Sequence, residues 1–100
     1  MKILALEKES PTATAEDFKR LAEAEAKKAW ELQQEGFIRE IYFRADEHSA
    51  VLVLESPSVN EAASRLEELP LVKNGLIRFE LIPLKAYPGF ERLFKKHGGS

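Results

Sequence analysis

The run AEDFKRLAEAEAKKAWELQQEG, residues 15–36, constrains the chain most, because it is built from strong helix formers and stops at a glycine. Thr14 stands where a hydroxyl can accept a bond from the free backbone donors of the first turn, and Asp17 favours the positive helix end. Everything else is shorter and extended, or shorter and helical. Ile3–Leu6 read as a first strand, ended by the polar, proline-containing EKESPTA. FIREIYFR and AVLVLE read as two strands joined through ADEHS, a loop length suited to an antiparallel hairpin.

Ser58 and Glu61 then form a capping-box signature, followed by Val59, Ala62, Ala63, Leu66 and Leu69 at helical spacing, with Pro70 closing the helix. After the turn VKNG, LIRFELIPL is a fourth strand, and YPGFERLFKKH places Phe90, Leu93 and Phe94 on one side of a short helix. The order β-α-β-β-α-β predicts an α+β, ferredoxin-like sandwich: a four-stranded antiparallel sheet with two helices on one face. A chain of 100 residues forms one such domain, expected over residues 1–97, with residues 98–100 as a disordered tail.

Two helices cover only one side of the sheet. On the last strand Ile77, Phe79 and Leu81 suit the helices, whereas Leu76, Arg78, Glu80, Ile82 and Leu84 make a mixed face of the kind found at protein contacts. Strict alternation on the second strand turns Phe37, Arg39, Ile41 and Phe43 toward the helices and Ile38, Glu40, Tyr42 and Arg44 toward the open face. Two open faces packed together would bury the apolar groups and pair the charges, which predicts a homodimer, extensible to a higher homo-oligomer.

A net charge of −2 gives no attraction to phosphate backbones, so nucleic acid is not an expected partner. Without cysteine there is neither a disulfide framework nor a thiolate metal site, and MKILALEKES lacks the long apolar segment and cleavage signal of a leader; a cytoplasmic protein without membrane attachment is expected. FERLFKKH is too short for a membrane-surface helix and suits docking on the domain or a partner subunit. His48 and His97 sit in a loop and a tail without paired ligands, and no phosphate loop is present, so no metal and no cofactor, haem included, is expected. Trp30, off the main helix stripe, reads as a packing residue.

One residue breaks the pattern. On a helical wheel Phe18, Leu21, Ala22, Ala29 and Leu32 fall in a single stripe, and Glu25 lies at its centre. Glu25 therefore faces the sheet surface on which alternation places Arg39. Either the two form a buried ion pair tying helix to sheet, or Ala22, Ala26 and Ala29 leave a cavity in which Glu25 acts as a base. Burial would raise the glutamate pKa and the arginine would lower it.

The segment Glu25–Pro70 resembles the muconolactone isomerase family of the dimeric α/β-barrel superfamily, through LQQEG closing the first helix, Arg39 just inside the next strand, SPSVNEA opening the second helix, and LPL at Leu69–Leu71. The resemblance implies a ferredoxin-like domain whose sheets pair into a barrel. It also implies a helix glutamate as acid/base eleven residues before the glycine of EG, which is Glu25. By that resemblance the protein would move a proton within a small unsaturated lactone or related cyclic carbonyl compound. Glu25 would carry the proton, Arg39 would hold a substrate carboxylate or the enolate charge, and Tyr42 would lend a hydroxyl if the barrel interior reaches the site. The sequence departs from the family pattern at Ala50, at His48 and at Tyr87-Pro88. The rival reading is a non-catalytic small-molecule-binding or assembly module with a structural Glu25–Arg39 pair.

Overall fold

A computed structural model describes residues 1–94; the expectations for His97 and for residues 98–100 fall outside the described residues. The elements are β1 (Lys2–Glu9), α1 (Ala15–Gln34), β2 (Ile38–Phe43), β3 (Ala50–Glu55), α2 (Val59–Leu66), α3 (Pro70–Lys73) and β4 (Ile77–Leu84). They are followed by a 3-10 turn, Pro88–Phe90, and by α4 (Glu91–Phe94). The sheet order is β2-β3-β1-β4 with every neighbouring pair antiparallel, which is the ferredoxin-like arrangement.

The ends of α1 are fixed by local chemistry. Thr14 Oγ1 accepts the Asp17 N–H and the Asp17 carboxylate accepts the Thr14 N–H, both at 3.2 Å, a reciprocal capping box. At the far end Gly36 takes φ +86°, a conformation that strains any residue with a Cβ. The Gly36 N–H then bonds the Gln33 carbonyl and the Phe37 N–H the Leu32 carbonyl, the paired bonds of a Schellman stop. Leu32 and Phe37 are both buried, so the helix ends by driving the chain into the core beneath it. The sheet contributes Ile3, Ala5, Ile38, Leu52 and Leu54 to that core, against Leu32, Ala62, Leu66 and Leu69.

Two local departures from the expected pattern matter for the site. Between Ile38 and Glu40 the pairing of β2 with β3 slips by one residue: Ile38 lies opposite Leu54, yet Glu40 lies opposite Val53. Arg39 is the extra residue of a β-bulge, which resets the alternation. Ile38, expected on the open face, is instead buried with the helices, in phase with Ile41 and Phe43, and Arg39 is expelled from that side. Further along, α2 ends at Leu66, and Pro70 does more than close it: the proline is the first residue of α3, a position where its missing N–H is no loss.

The open face carries half-buried Leu4, Leu6, Val51, Val53 and Ile82. Register aligns Tyr42, Val51, Leu6 and Glu80 in one row and Glu40, Val53, Leu4 and Ile82 in the next. Arg44, expected among these contacts, instead bonds Asp46 and Glu47 of the hairpin loop. After β4 the chain leaves the sheet with Tyr87 packed edge-on against Phe90 at 5.0 Å, while Phe90, Leu93 and Phe94 remain exposed.

Candidate functional site

The inner stripe of α1 divides into two halves. Leu32 is buried and Ala29 packs against the core, so the C-terminal half is docked; exposed ion pairs from Lys28 to Glu31 and from Arg65 to Glu35 and Glu68 flank this end. Nearer the N-terminus Leu21 is not among the residues facing the space, and Ala22 and Ala26 stand there beside Phe18 and Glu25, their methyl groups too short to fill it. A cavity of about 390 Å³ remains between α1 and the inner face of the sheet. Phe18, Ile41, Phe43, Leu52, Leu71 and Phe79 are among its apolar walls. Ala22, Ala26, Ile41 and Phe43 line it and are themselves exposed, so the cavity opens to solvent.

Glu25 enters this space from the helix. Its Oε1 accepts the N–H of Leu71 at 2.9 Å. Leu71 follows Pro70 at the start of α3, where the residue in the capping position, Leu69, has no side chain able to bond a free donor. The carboxylate of α1 thus serves as a cap for α3, and the LPL segment is the feature that creates the need for it. One bond leaves the second oxygen of Glu25 for the cavity. Burial pushes the Glu25 carboxyl above its ordinary value, the Leu71 N–H pulls it down, and the charge of Glu7 pushes it up again.

Glu7 is the residue that reasoning from sequence missed. It follows Ile3 and Ala5 on the inward side of β1 and lines the same cavity. Its Oε1 accepts the Ala50 N–H at 2.9 Å, just beyond Leu6–Val51, the last pair of the β1–β3 ladder. Its carboxyl is also raised, by burial first; the Ala50 N–H opposes this, Glu9 adds to it and His48 subtracts from it. His48, expected to be merely solvated, stands at the mouth against Phe43, ring centroids 4.7 Å apart. Strand phase turns Glu7 inward only once β1 is known to run past Leu6, and no spacing rule marks His48.

Arg39 does not meet Glu25. Its Nε donates to the Gly36 carbonyl at 2.6 Å, and its side chain belongs to a shallow surface with Glu35, Glu55 and Arg65. The bulge is the physical reason, because it gives Arg39 to the outside of the strand. Tyr42 lies on the open face, its hydroxyl donating to Glu40 Oε1 at 2.6 Å, and is not among the cavity walls. Of the three residues singled out from sequence, only Glu25 is in the cavity.

A family model described as muconolactone delta-isomerase matches residues 5–89. The chain belongs to this family. No curated protein matches it. Among solved structures, 5-chloro-2-hydroxyhydroquinone dehydrochlorinase from Burkholderia phenoliruptrix AC1100, in complex with 2,5-dihydroxybenzoquinone, superposes with a TM-score of 0.67. The match covers 89% of this chain and 98% of that one at 19% identity, which establishes a common fold. Within the muconolactone isomerase frame, the helix glutamate eleven residues before the glycine of EG lies in the cavity. The strand arginine does not. No helix among the described residues is long and apolar enough to cross a membrane.

Proposed function

We propose that this protein is an intramolecular isomerase acting on a small unsaturated lactone or related cyclic carbonyl compound, with Glu25 as the proton carrier. The observation that carries the reading is a carboxylate that lines a solvent-connected apolar cavity with one oxygen held by the Leu71 N–H and no hydrogen bond to the other among the described residues. In its ionised form Glu25 takes a proton from the carbon beside the carbonyl, leaving a dienolate. The same carboxyl returns the proton further along the conjugated system. Nothing is oxidised or reduced, and the base is regenerated. Burial raises the basicity of Glu25 toward the range useful for such a transfer. The enolate oxygen needs a donor, and Glu7, also driven toward its protonated form, can supply one from β1. Arg39 has no part in this chemistry as placed.

The experiment is solvent-deuterium incorporation into candidate lactones. Native protein should exchange the proton beside the carbonyl, and Glu25→Gln, which keeps an acceptor for the Leu71 N–H, should lose at least about 100-fold in rate. Equal rates would remove Glu25 from the mechanism.

We further propose that the protein works in the cytoplasm as a homodimer joined through the open sheet face, where Tyr42 contributes to the contact instead of to the substrate. The half-buried aliphatic rows of that face and the exposed aromatic arm after β4 support this assembly. Sedimentation should give a dimer or a multiple of one, and Val53→Lys, at the centre of the face, should shift it toward monomer. A native monomer at micromolar concentration would refute the interface.

A further inference from the structure

The charge inventory of the cavity and its approach limits what can enter. Glu7 and Glu25 line the cavity, and no lysine or arginine does so among the described residues. A second hollow of about 410 Å³ shares Glu7, Phe18, Phe43, His48 and Leu71 with it and adds Glu9, Ala13, Thr14 and Ala15. Here again the described lining holds carboxylates and no lysine or arginine. His48 is the basic group of both spaces, and its electrostatic effect falls on Glu7, one of the two carboxyls of the cavity. The bulge has placed Arg39, the cation expected to receive an anionic substrate group, against Gly36 instead.

We infer that the site accepts an uncharged cyclic carbonyl compound and rejects a ring that carries a carboxylate, so this member of the family acts on a lactone, enone or similar ring without an acidic side group. The inference rests on the proposed function for the identity of the site, but its content is electrostatic. Even with one proton shared between them, Glu7 and Glu25 leave a negative charge in a space with apolar walls. A substrate carboxylate placed there would be stripped of water and set beside a like charge with no partner. An uncharged ring loses little on entry, and its carbonyl oxygen can accept a hydrogen bond from Glu7 in its protonated form while Glu25 stays free as the base.

The test is a matched pair of probes: a β,γ-unsaturated butenolide bearing an ethyl group, and the same ring bearing a carboxymethyl group at that carbon. Binding is measured by titration calorimetry, and proton exchange by deuterium incorporation. The uncharged ring should bind at least about 100-fold more tightly than the carboxylate at neutral pH and low salt. Added salt should strengthen binding of the carboxylate and leave the uncharged ring unchanged. Glu25→Gln, which removes the cavity's negative charge and retains an acceptor for the Leu71 N–H, should raise carboxylate affinity at least about tenfold; Glu9→Gln, at the exposed strand end, gives the same direction if the first variant folds poorly. Equal or tighter binding of the carboxylate ring, or no binding of either ring, overturns the inference. Binding of the uncharged ring without exchange leaves the inference standing and defeats the isomerase reading.

Discussion

Filling the cavity from the helix side separates a purposeful space from loose packing, and Ala29→Leu is the substitution that does it. Ala29 is half-buried, packs against the core and lines the cavity, so the added atoms have existing space to enter without displacing Leu32 or Phe37. The change adds three carbon atoms. At about 0.8 kcal/mol for each fully buried methylene the ceiling is about 2.4 kcal/mol, and coverage of about half, as for Ala29 itself, leaves a gain of about 1 kcal/mol. For a domain of this size that raises the melting temperature by about 4–8 °C. Thermal and urea unfolding measure the gain, with the urea slope unchanged because the surface exposed on unfolding is nearly the same. Binding of the uncharged butenolide should fall at least about tenfold in the same variant, because the new side chain occupies the floor of the site. A loss of stability beyond about 1 kcal/mol would show that the helix already sits on the sheet and that the space does not exist in solution. Stabilisation with unchanged ligand affinity would show that the space exists but is not the binding site.

Three further outcomes follow from the same geometry. Glu25 is pushed up in the folded chain, so the folded state holds its proton more tightly than the unfolded state; its stabilising contribution is fully present below the ordinary glutamate range and is lost as pH rises through the raised value. Glu25→Gln should therefore gain urea resistance relative to the parent as pH rises above the ordinary glutamate range, and a parent that gains on the variant in that direction would contradict the assignment. Arg39→Ala removes one exposed bond to the Gly36 carbonyl, so it should cost less than about 1 kcal/mol in urea unfolding and leave deuterium exchange within about twofold of native; a 100-fold loss would return Arg39 to the site. Gly36→Ala meets no close contact, but its φ of +86° is unfavourable for alanine, so unfolding should show a loss of about 1 kcal/mol, and a neutral result would mean that α1 ends differently.

The fold was legible because its signals are local and redundant. Thr14 with Asp17 begins α1, Gly36 ends it, and Ile77, Phe79 and Leu81 give β4 a clean phase. The β-bulge carries no such signal: neither Arg39 nor its neighbours are residues that alternation excludes, and a period of two read through FIREIYFR assigns the strand side chains beyond Arg39 consistently while misplacing Ile38 and Arg39. That single slip carried the expected Glu25–Arg39 pair with it. Glu7 was hidden for a different reason. The polar run after Leu6 reads as a loop, whereas β1 continues to Glu9 because β4 pairs with it as far as Ile77. The ladder partner, not the local sequence, extends the strand and turns Glu7 inward.

The two roles of Glu25 bear on each other. As a cap for α3, the side chain needs only an oxygen that accepts the Leu71 N–H, and glutamine offers one at the same reach without bringing a charge out of water. An ionised carboxylate makes the stronger, charge-assisted bond to the Leu71 N–H, but burial outweighs that gain here, so a purely structural role favours the amide. It leaves unexplained why the carboxyl is buried against its own solvation and beside a second carboxyl that raises it further. Proton transfer does give a reason, since only the acid can take a proton and return it, and the Leu71 bond then fixes one oxygen so that the other keeps its aim on the cavity. The cap supplies position and the burial supplies basicity, and the Glu25→Gln variant divides them: it should unfold as a more stable protein, relieved of a buried charge, and exchange as a dead one.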